Sequence, residues 1–447
     1  MATTLYWLVI AIVLAEFVWS TVLTLLNIKA SHGPVPDVLQ GLYDEARYRK
    51  QQDYAMTNRK FSLISDLVST LVTLAIFAFG GFGLFDAAAR AVSGHPVVQA
   101  LLFWGIFYLL SWVISIPFDL YRTFVIEQHF GFNRTTPGLF AADAVKSLLM
   151  NMLIMGAVLA LCAWIYALAP RWFWLIAWGA VTLFSLFMQY FYSQLIVPLF
   201  NKQTPLPEGE LRDAIEAFAA RVDFRLDNIY VIDSSKRSSK SNAYFTGFGR
   251  KKRVVLYDTL MEQLSTEEIV GVLAHEIGHY KHRHIILSSL EGFATNLLMF
   301  WLFSLFIGSE ELAAAAGCQA ASFHVNLAVF SLIYTPLSLL LDIATNVISR
   351  RHERQADAFA AAHGLGHAEA SALKKMSAKS LANLTPHPLV VFTEYSHPTL
   401  AERVRALTQT AQPLVPWRRR VLLAVFFRLF SWMVCCVRGG NVQVASG

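Results

Sequence analysis

The stretch "GVLAHEIGHYKHRHIILSSLEGFATNLLMFWLF" (residues 271–303) joins two patterns that ordinarily exclude each other. Its first half carries His275, Glu276 and His279 in an H-E-x-x-H arrangement. On a helix, histidines four residues apart share a face and can reach one metal ion, and a carboxylate beside the first can act on water next to that ion. Its second half, from Ile285, is apolar over the length a helix needs to cross a bilayer. A hydrolytic pattern needs water, and the adjoining run excludes it.

Composition extends the second half of this pattern to the whole chain. Of 447 residues, 55% are hydrophobic and 15% charged, with a mean hydropathy of +0.46, well above that of an ordinary soluble domain. The apolar excess gathers into seven runs, at about 5–28, 61–85, 98–118, 147–168, 172–196, 285–307 and 325–346. The first run has no basic segment before it and is too long for a cleavable signal, so it reads as a retained span. Cys162, Cys318, Cys435 and Cys436 have no metal-ligand spacing and read as small hydrophobes. A net charge of +6 fits membrane topology better than nucleic-acid binding.

Alternate loops are basic. Residues 29–60 hold Lys29, Arg47, Arg49, Lys50, Arg59 and Lys60, and residues 119–146 hold Arg122, Arg134 and Lys146. Residues 86–97 and 169–171 hold one arginine each, and residues 308–324 no Lys or Arg. The positive-inside rule places the basic loops in the cytoplasm, the N-terminus outside, and residues 197–284 and 347–420 inside. The chain then divides into a five-span region (1–196), a first catalytic part (197–284), the sixth and seventh spans (285–346), a second catalytic part (347–420) and a C-terminal segment (421–447). In that last segment, residues 421–437 are short for a span and carry Arg428 in mid-run, which favours an interfacial amphipathic helix over the alternative of an eighth span.

The two inward stretches together suffice for one small domain. Residues 228–235 and 252–260 read as strands, and 241–249 as a further one ending in glycines. Residues 265–284 read as a helix, with Ser265 and Glu268 as a capping box and Ile269, Leu273 and Ile277 at helical spacing. A second helix is expected over roughly 347–363.

A catalytic zinc ordinarily takes three protein ligands. His282 and His284 stand at the wrong spacing for the third histidine of a metzincin. "SRRHERQADAFA" (349–360) offers Glu353 instead, with Asp357 four residues on and on the same face. Glu353 can then bind the metal while Asp357 accepts a hydrogen bond from a ligand histidine.

These motifs together resemble the gluzincin pattern of the type I CaaX prenyl proteases, integral-membrane zinc metalloproteases. The resemblance extends to "PFDLYRTFVIEQHFGFNRTT" (117–136), "PLFNKQTPLPEGELRDAI" (198–215), "SNAYFTGF" (241–248) and "SHPTLAERVRAL" (396–407), and covers about residues 20–410. It implies one Zn²⁺ per chain held by His275, His279 and Glu353, and Glu276 taking a proton from water. It implies His397 as a donor to the developing oxyanion, Arg403 as a positioning residue, and a substrate strand at Asn242 and Ala243. Expected partners are a peptide or lipidated-protein substrate and membrane lipid, with no nucleic acid.

If both ligand helices continue into their spans, His279 and Glu353 each lie roughly 10 Å from the span boundary at ~1.5 Å per residue. Glu16, Asp66, Glu291, Asn296 and Asp342 fall inside spans, where polar groups pair with one another or line a hydrated cavity. The resemblance favours the cavity. The expected architecture is a seven-helix membrane barrel around a chamber, carrying a cytoplasmic α+β zincin-type domain. The expected function is cleavage of peptides near the membrane, by resemblance the C-terminal CaaX tripeptide of prenylated proteins. A general membrane quality-control protease shares that chemistry, and a non-enzymatic scaffold or transporter is the rival of another class. The broken, repeated spans that would favour transport are not found.

Overall fold

A computed structural model describes residues 1–409 apart from 32, 227 and 247–252, with the backbone alone for 244–246. The segment 421–437 lies outside the described residues. Seven helices are long and apolar enough to cross a membrane: Ala2–Ala30, Glu45–Ala78, Pro96–Phe130, Pro137–Leu168, Pro170–Phe200, His284–Ser304 and Phe323–Ala362. Their most apolar windows reach mean hydropathies of 1.4–2.3, which is why the sequence locates each of them. Local chemistry sets several of their starts. Asp44 accepts a hydrogen bond from the Arg47 N–H, and Thr136 accepts one from Leu139 ahead of Pro137. The third helix passes through a π-helical turn at Arg122–Glu127, shortly after Pro117.

Glu16 and Asp342 are exposed on span helices. A carboxylate facing lipid is costly, which favours a hydrated surrounding at these two positions. Asp66 accepts a hydrogen bond from Ser20 and Glu291 one from Thr345, tying spans together in pairs.

The small domain carries a four-stranded sheet in the order β1-β2-β4-β3. β1 is Gln203–Pro205, β2 Asn228–Ile232, β3 Ala243–Thr246 and β4 Arg253–Tyr257. β2 runs parallel to β4, and the two outer strands pair antiparallel with their neighbours. β1 escapes sequence reading because it is three residues long and ends in Pro205, a residue a sheet admits at its edge. Leu256, Leu260, Ile269, Leu273 and Ile277 pack together in the core between the sheet and the helix Thr266–Lys281.

The loop after the third span is stitched to the approach to β3. Lys240 Nζ bonds Glu127 Oε2 at 2.8 Å, Asn133 bridges Ser238, and Arg237 grips Asp143 with two bonds of 2.7 and 2.9 Å. The edge strand β3 is thus registered against the membrane helices by a salt-bridged hinge outside the sheet itself.

The expectation that both motif helices run unbroken into their spans holds for one. Phe323–Ala362 is a single 40-residue helix that carries Glu353 straight out of the seventh span. The H-E-x-x-H helix ends at Lys281, and the sixth span begins anew at His284. Between them Arg283 adopts a left-handed conformation, φ +58°. An arginine gives no local signal for such a break.

Candidate metal centre

The helix Thr266–Lys281 starts with both halves of a capping box. Ser265 accepts from the Glu268 N–H at 3.3 Å, and Glu268 Oε2 accepts from the Ser265 N–H at 2.8 Å. Glu268 also takes hydrogen bonds from Ser371 and Lys375, so the cap fastens this helix to the helix Gly366–Lys379. Burial pushes the Glu268 carboxyl up, but the Lys375, Ser371 and Ser265 donors prevail and hold it below the ordinary carboxylate range.

Two glycines let three helices close on one point. A Cβ at Gly271 would stand 2.8 Å from the Glu369 backbone nitrogen. One at Gly278 would stand 3.0 Å from Ala356 Cα and 3.1 Å from Phe359 Cβ, on the helix that bears Glu353. Gly278→Ala is therefore expected to push the ligand helices apart. The overpacking costs about 1–3 kcal/mol of stability, and metal binding weakens with it. Thermal unfolding together with competition against a chelator checks both effects.

Across this contact His275, His279 and Glu353 converge, each offering a ligand atom within 4.8 Å of the others. His275 Nε2 lies 3.0 Å from His279 Nε2 and 3.4 Å from Glu353 Oε2, and His279 Nε2 lies 3.3 Å from Glu353 Oε1. A tetrahedral ion with ~2.05 Å bonds separates its ligand atoms by about 3.3 Å, so the spacing fits one metal ion. Glu353 Oε2 is buried without a hydrogen-bond partner among the described residues, which a cation at the centre would supply. The donor set fits a divalent metal of the zinc type.

The other ring nitrogens are fixed from behind. His275 Nδ1 lies 2.8 Å from Asp357 Oδ1 and 3.1 Å from Glu369 Oε1. Burial alone would lower the His275 pKa, but its contacts with Asp357, Glu353 and Glu369 raise it well above the ordinary value. The pocket is thus built to hold positive charge. With its Nε2 lone pair aimed at the centre, His279 donates from Nδ1 to His284 Nδ1 at 3.0 Å. His284 in turn donates from Nε2 to Gln355 Oε1 at 2.9 Å. His284, at the wrong spacing for a ligand, stands behind one instead.

His275, Asp357 and Glu369 form a second cluster of metal-ligand type, but Arg403 fills it. Its NH2 bonds Asp357 at 2.6 Å and Glu369 at 3.0 Å, and its Nε bonds the other Asp357 oxygen at 3.0 Å. Arg403 NH1 also lies 3.5 Å from Glu353 Oε2. Burial opposes its charge, and Asp357 and Glu369 overcome that and push its pKa up. Burial pushes the Glu369 carboxyl up to about 7, with His275 and Arg403 only partly offsetting it.

Arg403, expected as a positioning residue, stands behind the ligands on Asp357 and Glu369. Glu369 had no motif to announce it; it reaches the site because Gly271 lets its helix come close. His397 is the exposed member, with its Nε2 3.3 Å from Glu353 Oε1 and its Nδ1 hydrogen-bonded to Ser396. Glu276 lines one cavity with Ala243 at the start of β3. Asn242, the residue before it, is exposed, and its carbonyl accepts from Tyr257. The structure thus brings Glu276, His397 and the β3 edge to the neighbourhood of the ligand set.

Residues 24–202 match the family model for the CAAX prenyl protease N-terminal region with five membrane helices, and residues 205–411 match peptidase family M48. The CAAX prenyl protease 1 homolog of Arabidopsis thaliana is 34% identical, over 89% of this chain and 96% of that protein. CAAX prenyl protease 1 of Saccharomyces cerevisiae is also 34% identical, over 89% of this chain and 94% of the yeast protein. The crystal structure of S. mikatae Ste24p superposes with a TM-score of 0.86 at 33% identity, covering 91% of this chain and 99% of that one. Seven spans, an H-E-x-x-H helix and a matching fold over 91% of the chain lead to one conclusion: the chain belongs to the CAAX prenyl protease 1 family, the integral-membrane metallopeptidases of peptidase family M48.

Proposed function

We propose that this protein is a zinc endopeptidase that removes the C-terminal CaaX tripeptide of prenylated proteins. The observation that carries the reading is the near-tetrahedral spacing of His275 Nε2, His279 Nε2 and the Glu353 carboxylate about one point, with Glu353 Oε2 buried and without a hydrogen-bond partner among the described residues. His275, His279 and Glu353 would hold one Zn²⁺ per chain. The ion would supply Lewis acidity to a scissile carbonyl and acidify water beside it.

The chain's own groups do the rest. Glu276 accepts the proton of the attacking water on its carboxylate and passes it to the leaving amine. His397 Nε2 donates toward the oxygen where negative charge develops, and its exposure leaves it free to turn to a substrate. Asp357 holds the His275 ring through Nδ1, and Arg403 holds Asp357. An extended peptide pairs with the outer edge of β3 from Asn242 and Ala243, which delivers its backbone to Glu276.

Basic loops on alternate sides of the spans support a cytoplasmic catalytic domain and an external N-terminus. Glu353 stands seven residues beyond Asn346, where the seventh apolar run ends, which puts the ligand centre close to the membrane surface. Substrates tethered by a lipid arrive at that level. The test compares cleavage of a prenylated CaaX peptide with that of the same peptide lacking its prenyl group. The reading expects strong preference for the lipidated peptide; equal rates would favour a general membrane quality-control protease.

A further inference from the structure

An open cavity of about 660 Å³ lies away from the ligand centre, between the membrane helices and the sheet. Its walls come from the start of the fourth span helix, the end of the fifth, and strands β1, β2 and β4. Lys146, Lys202, Lys236 and Arg253 line it, and among the described residues no acidic side chain does. Lys236 is neutralised by Asp233 at 2.9 Å. The other three cations have no carboxylate partner among the described residues. Lys146 reaches only the Leu199 carbonyl at 3.3 Å. Arg253 stands over the Tyr230 ring at 5.2 Å with a buried Nε that bonds nothing described.

Three cations around one cavity with no described carboxylate partner ask for an anion, and the surroundings say which kind. The fourth span helix begins and the fifth ends here, on the side that carries the sheet, so with the membrane placement proposed above the cavity opens at the level of lipid headgroups. On the last turns of the fifth span, Leu195 and Leu199 are exposed apolar side chains beside the basic wall. A free phosphate would use only the cations, whereas a phospholipid would use the cations and the apolar flank together. Basic pockets between span ends on the cytoplasmic side are suited to anionic headgroups. We infer that this cavity is a binding site for the phosphate headgroup of an anionic membrane lipid, seated among Lys146, Lys202 and Arg253 with its acyl chains along the fifth span. A lipid held there would fasten the β1–β2 side of the sheet to the membrane.

The test uses the full-length protein in detergent, examined by native mass spectrometry with dioleoyl phosphatidic acid, dioleoyl phosphatidylcholine or inorganic phosphate. The wild type is expected to retain phosphatidic acid and to release phosphatidylcholine. With about fivefold lost per removed charge, Lys202→Gln combined with Arg253→Gln should weaken retention about 25-fold. The exposed pair Lys146→Gln with Lys202→Gln should weaken it similarly while leaving peptide cleavage unchanged, which guards against misfolding of the first variant. Tenfold excess inorganic phosphate should leave the lipid bound. Equal retention of both lipids, or wild-type retention by both double variants, would overturn the inference. Displacement of the lipid by inorganic phosphate would overturn the lipid assignment in favour of a free anion.

Discussion

Replacing Glu276 by glutamine is expected to lower peptide cleavage by about 10²–10⁴-fold, the usual contribution of a positioned proton acceptor, while the protein keeps its metal. The two halves of this expectation have separate structural grounds. Glu276 contributes nothing to the cluster of His275, His279 and Glu353, whose ligand atoms are complete without it. Glu276 instead lines, with Ala243 of β3, the small gap between its helix and the sheet, so a peptide laid along β3 would pass beside it. Glutamine preserves the volume and the helix but cannot accept a proton. Cleavage of a CaaX peptide and metal content, measured on one preparation, check both halves. Full activity in a metal-loaded variant would remove Glu276 from the mechanism.

Arg403→Met is expected to destabilise the folded protein by about 3–5 kcal/mol, the cost of leaving buried charges without their counterion. Arg403 is only 10% exposed and binds two carboxylates exposed by 1% and 2%, Asp357 and Glu369. Without it those groups and Glu353 repel one another, His275 loses its orientation, and the metal becomes a larger share of what holds the site together. The loss should therefore widen after chelation. Arg403→Lys restores the charge but not the fork that meets Asp357 through Nε and NH2, so it should recover only part of the stability. Thermal unfolding of all three proteins, with metal and after chelation, decides the matter; a Met variant that unfolds with the wild type would show the arginine to be dispensable.

The parts of this protein that are legible in its sequence are those encoded by local periodicity. Hydropathy over about twenty residues finds all seven spans, because a bilayer demands one property of every residue in a run. His275, His279, Glu353 and Asp357 are legible because each pair is an i, i+4 relation on one helix. What stays hidden depends on contacts across the chain. Glu369 sits on a third helix and reaches His275 because Gly271 leaves room for its backbone. His284 serves behind His279 because Arg283 turns the chain, and nothing in "KHRH" distinguishes a turn from a continuing helix. Arg403 is named through the resemblance of "SHPTLAERVRAL", but its closure on Asp357, 46 residues earlier in the chain, comes only with the fold. Motifs thus identify the atoms that face the centre and Asp357 behind one of them, while the contacts of Glu369, His284 and Arg403 come from folding.

The central claim is that His275, His279 and Glu353 form a single metal centre beside Glu276. It is tested most directly by a zinc-edge anomalous difference map of the crystallised protein. One peak bonded to the Nε2 atoms of both histidines and to the Glu353 carboxylate is expected, vanishing in Glu353→Ala. A peak elsewhere, or a metal that stays in place when Glu353 is removed, would contradict it.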